Sequence, residues 1–126
     1  MPIRWQISHD ERLVTVKAEG RVTLADVEVY LDALITGDAM AYAKLFDATG
    51  IDPMYDDHDM MMLVARMRAY ASRFEGGPLV FVASSDPVRE AIARYLKLAS
   101  ADRPSAMFDT VAEARAWLEK TRAAKG

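Results

Sequence analysis

Hydrophobic and polar positions alternate in two segments near the N-terminus, residues 4–8 and 12–19. A period of two is typical of half-buried β-strands. The second segment places one set of side chains on each face: Leu13, Thr15 and Lys17 on one, Val14, Val16 and Ala18 on the other. The polar residues 9–11 between the segments are short enough for a turn. The pattern therefore predicts an N-terminal β-hairpin that ends at Gly20.

After Gly20 the period changes from two to that of a helix. Thr23 is a good N-cap, and Asp26, three residues later, suits the first turn of a helix. Gly37 is a typical helix end. The predicted buried stripe of this first helix contains Leu24, Val27, Leu31, Leu34 and Ile35.

Three more helices are predicted from their first residues. One begins at Asp56 or Asp57 and runs to about residue 74, before two glycines. Another begins at Ser85-Asp86-Pro87, because a proline at the first helical position has no N–H to lose. The last begins at Thr110, which forms a capping box with Glu113.

Short apolar runs between these helices predict three further strands, at residues 42–46, 79–83 and 106–108, while residues 48–55 are predicted to form a loop. Strands that alternate with helices indicate a parallel sheet. We therefore expect one α/β domain, residues 1–126, in the order β-β-α-β-α-β-α-β-α. Its sheet is mixed but mostly parallel, with an N-terminal hairpin and four helices.

Composition narrows the function classes. The chain has no cysteine, which excludes disulfides, thiolate metal sites and a cysteine nucleophile. Its net charge of −3 argues against nucleic-acid binding, which needs a basic surface. Residues 1–8 lack the basic region and apolar core of a signal peptide, so we expect none, and no apolar run is long enough for an integral membrane segment. We therefore expect a cytoplasmic protein.

Four segments carry a resemblance to a known family: residues 20–24, 45–51, 79–89 and 107–114. In this order they resemble the STAS domain family, whose SpoIIAA-like members include bacterial STAS/SEC14-like uncharacterised proteins. The resemblance implies a SpoIIAA-like sandwich fold. It also implies a non-enzymatic protein-interaction or regulatory module. We expect no cofactor, and either an unknown protein partner or self-association as a homodimer.

One loop departs from the family's pattern. Anti-sigma-factor antagonists of this family carry a phosphorylatable serine at the N-terminus of the second helix, whereas residues 55–59 here read Tyr-Asp-Asp-His-Asp. The usual phosphoserine switch is therefore missing. The candidate residues for a partner or regulatory loop are Asp47, which ends the third predicted strand, with Tyr55, Asp56, Asp57 and His58.

The acidic cluster has several interpretations. Its carboxylates can simply cap the helix, because they accept hydrogen bonds from its free N–H groups. They can also provide a fixed negative charge where relatives carry a phosphate. A metal site would require Asp56 and Asp59 to converge with Asp52 or His58, and we do not expect one, since consecutive helical residues point in different directions. A hydrolytic site would use Asp56, Asp57 and His58, and we do not expect that either.

The run Met60-Met61-Met62-Leu63 is the second candidate feature. Methionine fills irregular gaps in a core. Four consecutive apolar residues on a helix cannot all face one core, however, so part of this run meets solvent, a partner or a ligand. Met60, Met61 and Met62 are therefore candidates for an apolar ligand site or a dimer face. They support the alternative function, a carrier or sensor of a small apolar or lipid-like ligand.

Overall fold

Five strands and four helices alternate in the computed structural model, which describes residues 2–52, 56–99 and 103–125. The strands are β1 (Ile3–Ser8), β2 (Leu13–Gly20), β3 (Ala43–Ile51), β4 (Leu79–Val82) and β5 (Ser105–Phe108). The helices are α1 (Leu24–Thr36), α2 (Asp57–Ala71), α3 (Asp86–Ala99) and α4 (Val111–Lys125). This order confirms the predicted α/β topology.

The strands form one sheet in the order β1-β2-β3-β4-β5. The hairpin strands β1 and β2 pair antiparallel, and all later neighbours pair parallel. The sheet is therefore mixed and mostly parallel, as the sequence predicts, and β3 is its central strand.

The two faces of the sheet are covered unequally. The buried side chains of α1, α2 and α3 pack on one face, while α4 alone packs on the other. We call these the three-helix side and the α4 side. Side chains alternate along β3, so Lys44 and Phe46 face the three-helix side, and Ala43 and Leu45 face α4.

The predicted helix starts are formed by capping side chains. Thr23 and Asp26 make a reciprocal capping box at the start of α1. At the start of α4, the Thr110 hydroxyl accepts from the Glu113 backbone N–H at 3.2 Å. Gly37 caps the end of α1. Within the described ranges, no helix is long and apolar enough to cross a membrane.

Two predictions about packing and strand length are wrong. Ile35 was expected in the buried stripe of α1 but is exposed, because Tyr30, Leu31 and Leu34 form the buried face. Residues 48–51 were expected in a loop but extend β3. They do so because β2 continues beside them past a bulge and pairs through Gly20 with Ile51.

The helix α2 ends at Ala71, earlier than the predicted residue 74, and the glycines after it serve a different purpose. A Cβ atom on Gly77 would lie 2.5 Å from the carbonyl oxygens of both Ala41 and Tyr42. Gly77 therefore lets the chain pass directly over the backbone that leads into β3, so that β4 can begin beside it.

Candidate ligand-binding site

A cavity of about 160 Å³ lies between the sheet and α1, α2 and α3. Its walls are almost entirely apolar and aromatic. Strands contribute Phe46, Ala48, Leu79 and Phe81; α1 contributes Val27 and Tyr30; α2 contributes Met60, Leu63 and Met67; α3 contributes Val88, Ala91, Ile92 and Tyr95. Four polar side chains interrupt this apolar lining: Tyr30, Lys44, Tyr95 and Arg103.

Lys44 occupies an unusual position in the middle of the central strand. Its strand neighbours at the same level are Val14 and Leu79, and its side chain is only 5% exposed. The Nζ atom donates hydrogen bonds to the backbone carbonyl oxygens of Met40, at 2.6 Å, and Tyr42, at 2.9 Å. These two bonds hold the amine beside the cavity.

Burial strongly alters the acid–base behaviour of this lysine. Desolvation lowers the pKa of Lys44 from 10.5 to about 7, and the nearby positive charge of Arg103 acts in the same direction. Within residues 2–52, 56–99 and 103–125, neither Lys44 nor Arg103 forms a salt bridge. The amine therefore sits near the midpoint of its titration at neutral pH.

Tyr30 brings a phenol to the cavity from α1. Its ring packs between Trp5, at a centroid distance of 5.6 Å, and Phe46, at 6.4 Å. Its hydroxyl is buried, and none of the described residues forms a hydrogen bond with it. Burial raises the pKa of Tyr30, so this hydroxyl keeps its proton and remains a donor.

Tyr95 brings a second phenol to the cavity from α3. Its ring meets the ring of Phe81 edge to face at a centroid distance of 6.2 Å. Burial raises the pKa of Tyr95, and the positive charge of Arg103 opposes that effect. Both phenols of the cavity are therefore protonated at neutral pH.

Arg103 precedes β5, and its side chain lines the cavity close to Gly76. A Cβ atom on Gly76 would lie 2.8 Å from the Arg103 Nη1 atom, so any side chain at position 76 would displace the guanidinium. The charge of Arg103 lowers the pKa of Tyr30, Lys44 and Tyr95 alike. The four polar groups are therefore close enough to interact within one apolar space.

The acidic residues singled out in the sequence lie elsewhere, at the exposed start of α2. Asp56 is the N-cap and accepts from the Asp59 backbone N–H at 2.7 Å. Asp57 forms a salt bridge of 2.7 Å with Arg94 on α3, and its own side chain is largely exposed. His58 is exposed. Tyr55 lies outside the described residues.

Asp47 is also separate from this cluster. The Asp47 carboxylate accepts from the Thr49 backbone N–H at 3.0 Å and from the Thr49 hydroxyl at 2.7 Å. Asp47 alternates with Phe46 on β3 and so lies on the face opposite the cavity. In the part of the chain that the structure describes, no group of three or more His, Asp or Glu side chains is placed to hold a metal ion.

The methionine run is divided by the helical period. Met60 is 5% exposed and lines the cavity, together with Met67 two turns later. Met61 and Met62 point outward, with exposures of 52% and 43%. The structure thus places one of the three candidate methionines in the cavity wall and two on the surface.

The sequence analysis does not predict the polar residues that line the cavity. For Lys44 the sequence does contain one indication. Side chains alternate along a strand, so Lys44 must lie on the same face of the central strand as Phe46. A charged residue at such a position is rarely solvated. In the sequence, nothing distinguishes Tyr30 and Tyr95 from ordinary aromatic core residues. No local pattern predicts that Arg103 lines the cavity, because only the tertiary structure places it there.

Comparison with solved structures supports the fold. The chain is similar to the crystal structure of an uncharacterised DUF3478-family protein with a SpoIIAA-like fold from Shewanella loihica PV-4. The sequences are 18% identical, the TM-score is 0.59, and the match covers 92% of this chain and 91% of that chain. Neither a family model nor a curated protein matches the chain. The chain therefore has the SpoIIAA-like fold that its resemblance to STAS domains predicts.

Proposed function

We propose that this protein is a non-enzymatic carrier or sensor of a small, largely apolar ligand. The observation that supports this proposal is the cavity of about 160 Å³ beneath α1, α2 and α3. In another protein core, an apolar cavity of roughly 150 Å³ binds benzene. The volume here accordingly suits a single ring or a short alkyl chain.

The composition of the walls supports the same function. Small-molecule sites are typically apolar and aromatic with a few placed polar groups, which is the character of this cavity. Met60 and Met67 line it from α2, and flexible thioether side chains adapt to ligands of different shape. The few polar side chains in the lining would orient the ligand.

The proposal can be tested by native mass spectrometry of the protein purified from its own host. We expect a small-molecule mass excess that disappears on denaturation. Ala91→Phe, which fills the cavity from α3, should abolish this excess. Ala93→Phe places the same ring on the exposed face of α3 and is the matched control. A bare mass for the wild-type protein, together with no binding of added apolar probes, would contradict the proposal.

A second candidate function is a protein-interaction module, as the resemblance to STAS domains implies. It is favoured by Met61 and Met62, two exposed apolar side chains that follow directly after the acidic start of α2. Exposed methionines suit adaptable protein contacts. In this function, Asp56 or Asp57 would supply the fixed charge that replaces a phosphoserine.

The interaction module makes a different prediction in the same experiment. Native mass spectrometry should show a protein-sized adduct or a dimer, and the double variant Met61→Ser, Met62→Ser should remove it. Asp57→Asn should weaken the complex without unfolding the domain. A wild-type protein that stays monomeric in host extract would argue against this function.

A further inference from the structure

Among the described residues, two basic side chains and no carboxylate line the cavity. Lys44 and Arg103 both line it, and no carboxylate pairs with either among the described residues. Buried charges in proteins are normally paired, because desolvation is unfavourable. An anionic group from outside the chain would supply the missing charge.

The hydrogen-bonding capacity of the cavity is also unfilled. A protonated lysine has three N–H donors, and the Lys44 Nζ atom donates to two backbone carbonyls, which leaves one donor. The Tyr30 hydroxyl is buried and forms no hydrogen bond within the part of the chain that the structure describes. Arg103 adds the planar fork of donors that binds carboxylates in bidentate fashion.

We infer that the ligand is an amphipathic carboxylate, whose acid group binds Lys44, Tyr30 and Arg103 and whose apolar part lies among the α2 and α3 side chains. This inference rests on the proposed function, for which it names the ligand class. A carboxylate presents about four lone-pair sites on two oxygens. One donor from Lys44, one from Tyr30 and two from Arg103 would fill these sites.

Binding of such an acid is coupled to protonation of Lys44. The titratable and charged groups that surround the amine are Tyr30 from α1, Tyr95 from α3 and Arg103 before β5, while α2 contributes apolar residues to the lining. The free protein holds Lys44 mostly neutral above about pH 7. An adjacent carboxylate favours the charged form, so the complex should take up a proton when it forms at pH values just above 7.

Isothermal titration calorimetry can test the inference with octanoate and its neutral counterpart 1-octanol, after copurified ligand has been removed from the protein. We expect octanoate to bind at least about tenfold more tightly than 1-octanol, because a charge-assisted hydrogen bond contributes about that much to affinity. Measured near pH 8 in buffers of different ionisation enthalpy, octanoate binding should show proton uptake, and 1-octanol binding should not.

The possible outcomes separate the inference from the proposed function. Equal affinities for octanoate and 1-octanol would overturn the carboxylate inference but leave the apolar carrier intact. Tighter binding of octyl phosphate than of octanoate would also overturn it, in favour of a phosphate group. If hexanoate, octanoate, decanoate and their alcohols all fail to bind, both the inference and the proposed function are wrong.

Two variants locate the acid group within the cavity. Lys44→Met should weaken octanoate binding by about tenfold, and Tyr30→Phe should weaken it by roughly three- to tenfold. Both variants should leave 1-octanol binding unchanged or tighter. Lys17→Met and Tyr70→Phe make the same changes at solvent-accessible positions and are the matched controls. Unaltered octanoate affinity in folded Lys44→Met protein would contradict the inference.

Discussion

Lys44 and Leu45 are neighbours on the central strand, both almost fully buried at 5% and 1% exposure, yet they face two different kinds of interior. Leu45 faces α4, where it packs with Val80, Val82 and Leu118. Lys44 faces the three-helix side, where the packing leaves a cavity. The same strand therefore packs into a hydrophobic cluster on one side and borders a cavity on the other.

The difference has an energetic meaning. Close packing on the α4 side gains stability from every buried side chain. Within the described ranges, the three-helix side contains a buried amine without a carboxylate partner and a buried phenol without a hydrogen-bond partner, and both are unfavourable in the free protein. Departures of this kind from good packing are typical of functional sites, because a ligand rather than the protein completes them. The contrast predicts opposite effects of mutation on the two sides.

The largest effect is expected on the α4 side. Leu45→Ala removes a fully buried side chain from a closely packed cluster and should lower the free energy of unfolding by about 2–5 kcal/mol. Urea denaturation followed by circular dichroism would measure the change. Octanoate affinity should remain the same under conditions where the variant is folded, and a large loss of affinity would show that the two sides are not independent.

The next effect has the opposite sign. Lys44→Met replaces a buried amine by an apolar side chain of similar length and should raise the free energy of unfolding by about 1–3 kcal/mol at pH 7. The gain is less than the full desolvation energy, because the carbonyls of Met40 and Tyr42 lose a donor. A less stable Lys44→Met protein would mean that these two hydrogen bonds outweigh the burial of the amine.

The same variant should also change the pH dependence of stability. The pKa of Lys44 is lowered from 10.5 to about 7 on folding, so between these pH values the unfolded chain binds more protons than the folded one. The free energy of unfolding of the wild-type protein should therefore rise with pH from about 7 to 10.5 relative to Lys44→Met. Parallel pH profiles for the two proteins would contradict the lowered pKa.

A smaller effect is expected at the start of α2, which covers the cavity. Asp56→Ala removes the N-cap hydrogen bond and should lower the free energy of unfolding by about 1 kcal/mol. Asp57→Ala breaks a salt bridge between exposed side chains and should lower it by less than about 0.5 kcal/mol. Thermal denaturation would compare the two. Neither variant should change octanoate affinity, and a loss in Asp57→Ala would link the acidic start of α2 to the cavity.

These two aspartates show what sequence patterns reveal about this molecule. Caps, turns and strand periods are local, so the N-terminal hairpin, the order of elements and the helix starts at Thr23, Asp56 and Thr110 could all be predicted. The extension of β3 to Ile51 could not, because it depends on pairing with β2 across the sheet. Local signals identify helix caps well, whether or not those caps have a function.

The cavity depends on tertiary contacts, so the sequence predicts only part of it. The methionine run indicated an apolar ligand site, and Met60 does line the cavity, but nothing in the sequence separates it from Met61 and Met62. Tyr30 and Arg103 are far apart in the chain, and only the tertiary structure brings both to the lining of one cavity. A buried group that no described residue bonds to, such as the Tyr30 hydroxyl, is recognised only when its neighbours in the fold are known.

That hydroxyl provides a small but specific test of the contrast between the two sides. Tyr30→Phe removes a buried oxygen that has no partner in residues 2–52, 56–99 and 103–125. It should raise the free energy of unfolding by about 0.5–1 kcal/mol, because the desolvation penalty disappears and no hydrogen bond is lost. Tyr70→Phe is the matched control. It removes a phenol that donates to Asp32 at 3.3 Å near the surface, so it should leave stability unchanged or slightly reduced. Urea denaturation of both variants, each with and without octanoate, separates stability from binding: Tyr30→Phe should gain stability alone but gain less from the ligand than the wild-type protein does. If Tyr30→Phe is instead destabilised in the ligand-free protein, the hydroxyl already has a partner there, such as a bound water, and it is not held in reserve for a ligand.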